Sequence, residues 1–234
     1  LDETTTLYSR YANGFTIPTA SKLYSMKSTY KESILNPEIT NTYEVGFKKL
    51  FLDKSYFESS IYFMDIDDTI TSSKDSSGVS YNLNSGKSEH KGTELTLFST
   101  LTDDISSKIT YSYSEHNFVD DATYKNNEMA EAPNHTGNFR LFYSPYFMKK
   151  LTLMGEIQYV GDYYMDNENT KKYTGYEIGN IKGTYNLSKS FSVFGKVTNV
   201  TDKEYASSAS RSYSTDSYSP GDSRAYYTGI SYKF

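Results

Sequence analysis

The 234-residue chain contains no cysteine. That absence excludes a disulfide framework and a thiolate metal site, and it says little about compartment. No run of about 18 apolar residues occurs, so no helix of this chain can cross a bilayer. The opening stretch, LDETTTLYSRYANGF, lacks a basic n-region and an apolar h-region. It is expected to be interior to a longer sequence rather than a secretion signal. Aliphatic residues are scarce too: hydrophobic content is 36%, low for a soluble domain. Positive charge is in deficit, and a net charge of −5 argues against a nucleic-acid partner.

What is present is aromatic. The chain has 25 Tyr and 13 Phe, and aromatics make up 16% of it. Disordered chains are depleted in such residues. Many Tyr, Ser and Thr with few aliphatics suit strands that have one apolar face and one wet face. Membrane β-barrels share that composition, because their lumen is polar.

Period-2 alternation is the dominant pattern. In ISSKITYSYSEHNF, Ile105, Ile109, Tyr111 and Tyr113 share one face, with Lys108, Thr110 and Ser112 on the other. LTLMGEIQYVGDYY sets Leu151, Leu153, Ile157 and Tyr159 against Thr152, Glu156 and Gln158. The pattern predicts strands near 4–14, 40–51, 55–70, 86–101, 105–118, 135–146, 151–165, 173–187, 191–205 and 223–234. No helical stripe appears.

The connections alternate in length. LFLDKS, LTDD, PYFMKK and LSKS are tight, and the intervening loops, chiefly 15–39, 71–85, 119–134 and 206–222, are long and polar. Short turns at one end and long loops at the other mark an up-and-down outer-membrane barrel. The predicted strands are also long. Soluble strands average about 5–6 residues, whereas a tilted membrane strand needs about 9–11 in hydrocarbon. Tyr163, Tyr164, Tyr173, Tyr176, Tyr205, Tyr226 and Tyr227 fall near strand ends, as an interfacial girdle would.

Five segments, in order along nearly the whole chain, resemble the TonB-dependent outer-membrane receptors. They are YSRYANGFTIPTASKLY (8–24), NPEITNTYEVGFK (36–48), YNLNSGKSEHKGTELTL (81–97), VFGKVTNVTDKEYA (193–206) and PGDSRAYYTGISYKF (220–234). The resemblance implies a receptor that binds a scarce nutrient outside, most readily a ferric siderophore, and imports it with energy relayed through TonB. Such receptors have a barrel of about 22 strands with a plugged lumen. About ten strands are expected here, so residues 1–234 are read as the C-terminal part of the all-β, antiparallel transmembrane barrel. The plug, the TonB box and the N-terminal strands are then missing from it. Two free sheet edges would face lipid, so the isolated chain should transport nothing. The closing strand resembles the signal read by the barrel-assembly machinery, with Tyr226, Ile230, Tyr232 and Phe234 facing lipid.

Opposite the apolar stripes lie Arg10, Glu44, Lys48, Glu58, Glu94, Lys108, Arg140, Glu156, Lys182, Lys196 and Lys233. A Lys or Arg at mid-depth in lipid costs about 2–4 kcal/mol, so this face is assigned to the lumen. Arg10 and Arg140 are candidates for an anionic chelate, since guanidinium suits carboxylate and catecholate oxygens. Loop tyrosines Tyr24, Tyr81, Tyr124, Tyr213 and Tyr218 are candidates for stacking on an aromatic chelate.

Other chemistry is weakly marked. His90, His116 and His135 are far apart in sequence and lack metal-ligand spacing, so each is expected as a solvated side chain near a strand end. Between Phe15 and Asn36 there is no histidine, which argues against haem uptake through that loop. Asp120, Asp121, Asp166 and Glu168 match no calcium-loop motif. Asn199 heads an NVT triplet without expected consequence. No catalytic motif, metal or cofactor is implied. Two alternatives stand beside the receptor. One is a closed ten-stranded barrel enzyme with a rim site near His116 and Asp120–Asp121. The other is a passive porin. Within the receptor class, cobalamin or haem are the alternative cargoes.

Overall fold

A computed structural model describes residues 2–24, 33–52, 54–84, 86–121, 123–212 and 215–233. Tyr213, Phe234 and part of the loop 15–39 lie outside the described residues. In chain order the strands are β1 (Thr5–Thr16), β2 (Glu38–Phe51), β3 (Ser55–Asp67), β4 (Ile70–Lys74), β5 (Ser80–Asn84), β6 (Lys87–Thr100), β7 (Ile105–Val119) and β8 (His135–Tyr143). They continue as β9 (Leu151–Val160), β10 (Tyr163–Tyr164), β11 (Lys172–Tyr173), β12 (Tyr176–Asn186), β13 (Phe191–Thr198), β14 (Ala206–Ser212), β15 (Thr215–Pro220) and β16 (Ala225–Tyr232). Helix is limited to one turn, Ala20–Leu23, and a 3-10 turn, Tyr146–Met148.

Ten strands form one antiparallel sheet in the order β1-β2-β3-β6-β7-β8-β9-β12-β13-β16. Every neighbour in that order is the next long strand in sequence, as an up-and-down wall requires. Among the described residues β1 and β16 do not pair, so the sheet has two edges. This agrees with the ten strands read from alternation and does not fit the closed ten-stranded alternative.

The long loops all leave from one end, and they are not irregular. Three of them carry a hairpin of their own: β4–β5, β10–β11 and β14–β15. The sequence placed β4–β5 and β14–β15 in loops without seeing their hairpins, and ran β10 and β11 into the wall strands. The segments read as strands to 165 and to 205 in fact leave the sheet at Val160 and Thr198. The cause at the first site is Gly175, which returns the chain to the wall at φ +74. A Cβ there would stand 2.1 Å from the Val160 carbonyl oxygen. Only glycine tolerates both demands.

Register fixes the faces, since directly paired residues share a side. One continuous row is Phe57, Leu97, Ile109, Phe139 and Ile157. Ile61, Ile109, Ile157, Ile181 and Ile230 on this side are all exposed. A water-soluble protein would hide such a band; a lipid-facing one need not. Lys48, Glu58, Thr96, Thr110, Asn138 and Gln158 form the matching row on the polar side. Buried apolar side chains instead gather among the long loops: Phe118, Tyr163, Met165, Ala206 and Ala209. Wall strand β12 adds Ile178, but most of the buried apolar side chains lie with the loops.

The apolar side does not stay apolar along its whole length. Toward the long-loop end of β3, β6 and β7 it carries Asp67, Lys87, Lys91 and Glu115. Lys87 pairs with Asp67 at 2.6 Å and Lys91 with Glu115 at 2.9 Å. These charges begin one pair beyond Tyr113 and in the row of Phe63, which pairs with Lys91, so the two rings mark the rim of the hydrocarbon band. The strands run on past that rim into water.

Candidate functional site

Two surfaces could meet a ligand: the polar face of the wall and the body formed by the loops. On the wall, Glu156 is the centre of a hydrogen-bonded cluster. Its carboxylate accepts from Arg140 Nε at 2.6 Å, Asn138 Nδ2 at 2.9 Å and Asn180 Nδ2 at 2.9 Å. The Glu156 side chain is 6% exposed, whereas Arg140 remains 40% exposed. Three donors satisfy the carboxylate, as a buried anion requires. Arg140 is therefore half committed to Glu156, with one side of its guanidinium toward the open face.

The cluster continues into a loop. The Asn199 backbone N–H donates to Asn180 Oδ1 at 3.0 Å. The Asn199 side chain, buried to 1% exposure, donates to the Lys203 and Asp222 carbonyls and accepts from the Lys203 N–H. Asp202 accepts from the Arg224 N–H at 2.7 Å. Tyr205 lies against Tyr176, ring centroids 4.4 Å apart. Asn199, Asp202 and Tyr205 are the polar and aromatic positions of VTNVTDKEYA. Their spacing ties the β13–β16 loop to the wall.

At the other side of the sheet Arg10 lies 4.0 Å from Glu44, and its side chain is 64% exposed. Tyr8 donates to Glu44 at 2.7 Å. Tyr24 is exposed beside the short helix, and Tyr81 sits in the β4–β5 hairpin.

The loops between β7 and β8, β9 and β12, and β13 and β16 are bonded into one body. Asn127 Nδ2 donates to the Asn167 carbonyl at 2.8 Å, and the Ala130 N–H donates to Asn167 Oδ1 at 2.8 Å. The Arg211 N–H donates to the Met165 carbonyl at 2.8 Å. The Ala209 N–H donates to Tyr163 Oη at 2.8 Å. Lys171 and Arg211 both pair with Asp216. That Lys171 hydrogen bond holds the Asp216 carboxyl below the usual carboxylate range. Lys172, at 2.9 Å, does the same for Asp162. The body encloses a cleft of about 800 Å³ lined by Tyr124, Glu131, Asp166, Thr170 and Arg211 among others. That is the size range of small-molecule sites.

Residues 1–200 match the family model of the TonB dependent receptor-like β-barrel. The chain belongs to that family. As a TonB-dependent receptor barrel it is a protein of the bacterial outer membrane, and its polar face is the lumen. It is 25% identical over 189 residues to the ferrichrome outer membrane transporter/phage receptor of Escherichia coli (strain K12), covering 77% of this chain and 25% of that protein. The siderophore receptor PiuA from Acinetobacter baumannii superposes with a TM-score of 0.74 at 21% identity, over 100% of this chain and 34% of that one. The copper transporter OprC superposes with a TM-score of 0.79 at 18% identity, over 100% and 38%. At such identity the superpositions show the fold alone. The chain spans about a quarter of the length of the curated relative it matches.

Sequence reasoning placed all eleven charged positions on one face. It took Arg10 and Arg140 as candidates for an anionic chelate, and in the structure both have carboxylate partners. It missed Arg211, which only the hairpin pairing brings beside Tyr124. It also read the histidines as separate and solvated. In the structure His90 and His116 meet directly across β6 and β7 with Nδ1 atoms 2.7 Å apart, and Tyr111 Oη lies 2.7 Å from His135 Nδ1. Registers set by long strands carry no sequence motif. Asp121 spends its carboxylate on the Thr123 and Tyr124 N–H groups and Asp166 on Thr170, so each acid closes its own turn. Among the described residues His116 Nδ1 meets His90 rather than Asp120 or Asp121.

Proposed function

We propose that residues 1–234 are the C-terminal part of the barrel of a receptor that captures a ferric siderophore and imports it with energy relayed through TonB. The plug, the TonB box and the first strands would belong to other parts of the protein. The free edges of β1 and β16 would be completed by those strands, with lipid against the apolar side and the assembly machinery reading Tyr226, Ile230, Tyr232 and Phe234.

The observation that carries the reading is the loop body with its cleft, standing over a polar wall in a chain of this family. A chelate would enter at the cleft, where Arg211 and Tyr124 offer a cation and a ring. It would then descend to Arg140 and Arg10. Arg10, mostly exposed beside Glu44, can turn to an anionic chelate at little cost, whereas Arg140 would have to meet one while keeping its hydrogen bond to the buried Glu156. Tyr24, Tyr81 and Tyr213 would line the approach.

Calorimetric titration of the intact receptor with ferric hydroxamate and ferric catecholate chelates, against cobalamin and haem, tests the proposal. Tight binding of one ferric chelate class, weakened at least tenfold by Arg211→Ala with the fold intact, is expected. Binding of cobalamin or haem and of no ferric chelate sinks the cargo assignment.

A further inference from the structure

Pairing across β3, β6 and β7 sets Met64, His90 and His116 in one row on the lumen face. The row stands just beyond the aromatic rim, level with the Lys91–Glu115 pair on the outer side. The two Nδ1 atoms are 2.7 Å apart, with the rings 5.0 Å apart and tilted by 59°. His90 Nε2 lies 3.2 Å from the Ser88 hydroxyl, and Ser88 is 1% exposed.

These contacts allow one consistent pair of tautomers. If His90 Nε2–H donates to Ser88, its Nδ1 carries a lone pair. His116 Nδ1–H then donates to that lone pair. An imidazole held at one nitrogen by a buried partner and open at the other is the arrangement of a metal-ligating histidine. His90 has that second partner in Ser88, and the His116 Nδ1 already converges on the His90 Nδ1.

We infer that His90 and His116 form a copper(II) site on the lumen wall, beside Met64 in the same cross-strand row. Imidazole nitrogen binds a metal of this size at about 2.0–2.1 Å. Two cis ligands at 90° are then about 2.9 Å apart, and two tetrahedral ones about 3.3 Å. The pair must widen by about 0.2 Å for a tetragonal ion and by about three times as much for tetrahedral zinc. Copper(II) leads the affinity order for divalent ions at nitrogen donors. On binding, His116 moves its proton from Nδ1 to Nε2, and both Nδ1 lone pairs turn to the metal. No net proton is released from neutral imidazoles. The site is separate from the loop cleft and does not depend on a ferric chelate as cargo.

The test uses the intact receptor without a histidine tag, stripped with chelator and titrated with copper(II) and zinc(II) chlorides. One equivalent of copper is expected, with nitrogen hyperfine structure in its electron paramagnetic resonance spectrum. His90→Ala and His116→Ala should each weaken it more than tenfold, and Ser88→Ala by about 10–100-fold. His116→Gln, which keeps a polar partner for His90, serves as the folding control and should also lose the signal. Copper binding that survives in the double His90→Ala, His116→Ala variant overturns the assignment. So does the absence of a stoichiometric site, or zinc binding as tight as copper.

Discussion

Asn199 sits at φ 47, a conformation asparagine tolerates better than most residues. Its amide closes the loop that follows β13, and its backbone joins the loop to the Asn180–Glu156–Arg140 chain. Replacing it by alanine leaves the Lys203 and Asp222 carbonyls and the Lys203 N–H unmet. At about 1–3 kcal/mol for buried unsatisfied polar groups, Asn199→Ala should lower the unfolding midpoint of the receptor in urea without changing its slope. An unchanged midpoint would mean the latch contributes nothing. The motif around Asn199 was visible in the sequence; its reason was not, because the partners lie 19 and 23 positions away.

At the scale of elements, wall and loops obey different physics. Wall strands are held by ladders and are wet or lipid-bathed on both faces. The loop body is held by a small core and by ion pairs at Asp216 and Asp162. Both carboxyls are held low, first by their lysine hydrogen bonds, against an opposing effect of burial. A depressed carboxylate stabilises the folded form above its unfolded value near about 4, and that contribution fades as pH falls through the folded value. Amide exchange should therefore show residues 162–173 and 206–220 losing protection below about pH 4, while β7–β9 keep theirs. High salt should weaken the pairs at neutral pH as well. Simultaneous loss across wall and loops would contradict this independence. Alternation made the ten wall strands legible. The three loop hairpins escaped it because they are as short as two residues and their partners are set by loop packing.

At the scale of the molecule, the open sheet is a two-sided wall whose sides face different solvents. Ile109 lies midway between Ile105 at the short-turn end and Tyr113 at the rim, facing out; Thr110 faces the lumen. Ile109→Arg in the intact receptor should cost about 2–4 kcal/mol, read from the unfolding midpoint of the barrel in lipid. Thr110→Arg should cost far less. Equal costs would mean that the faces are wrongly assigned.

The sequence by itself determined the ten strands, their faces, the asymmetry of their ends and the family. The strands, faces and ends follow from local periodicity, because a strand's alternation is written residue by residue and short turns bind neighbours in order; the family came from the resemblance of five segments. Tertiary structure alone decided that Arg140 is shared with Glu156, that Arg211 joins Tyr124 at a cleft, and that His90 touches His116. Those meetings depend on register across long strands and on packing between loops, and a shift of one residue would undo each of them.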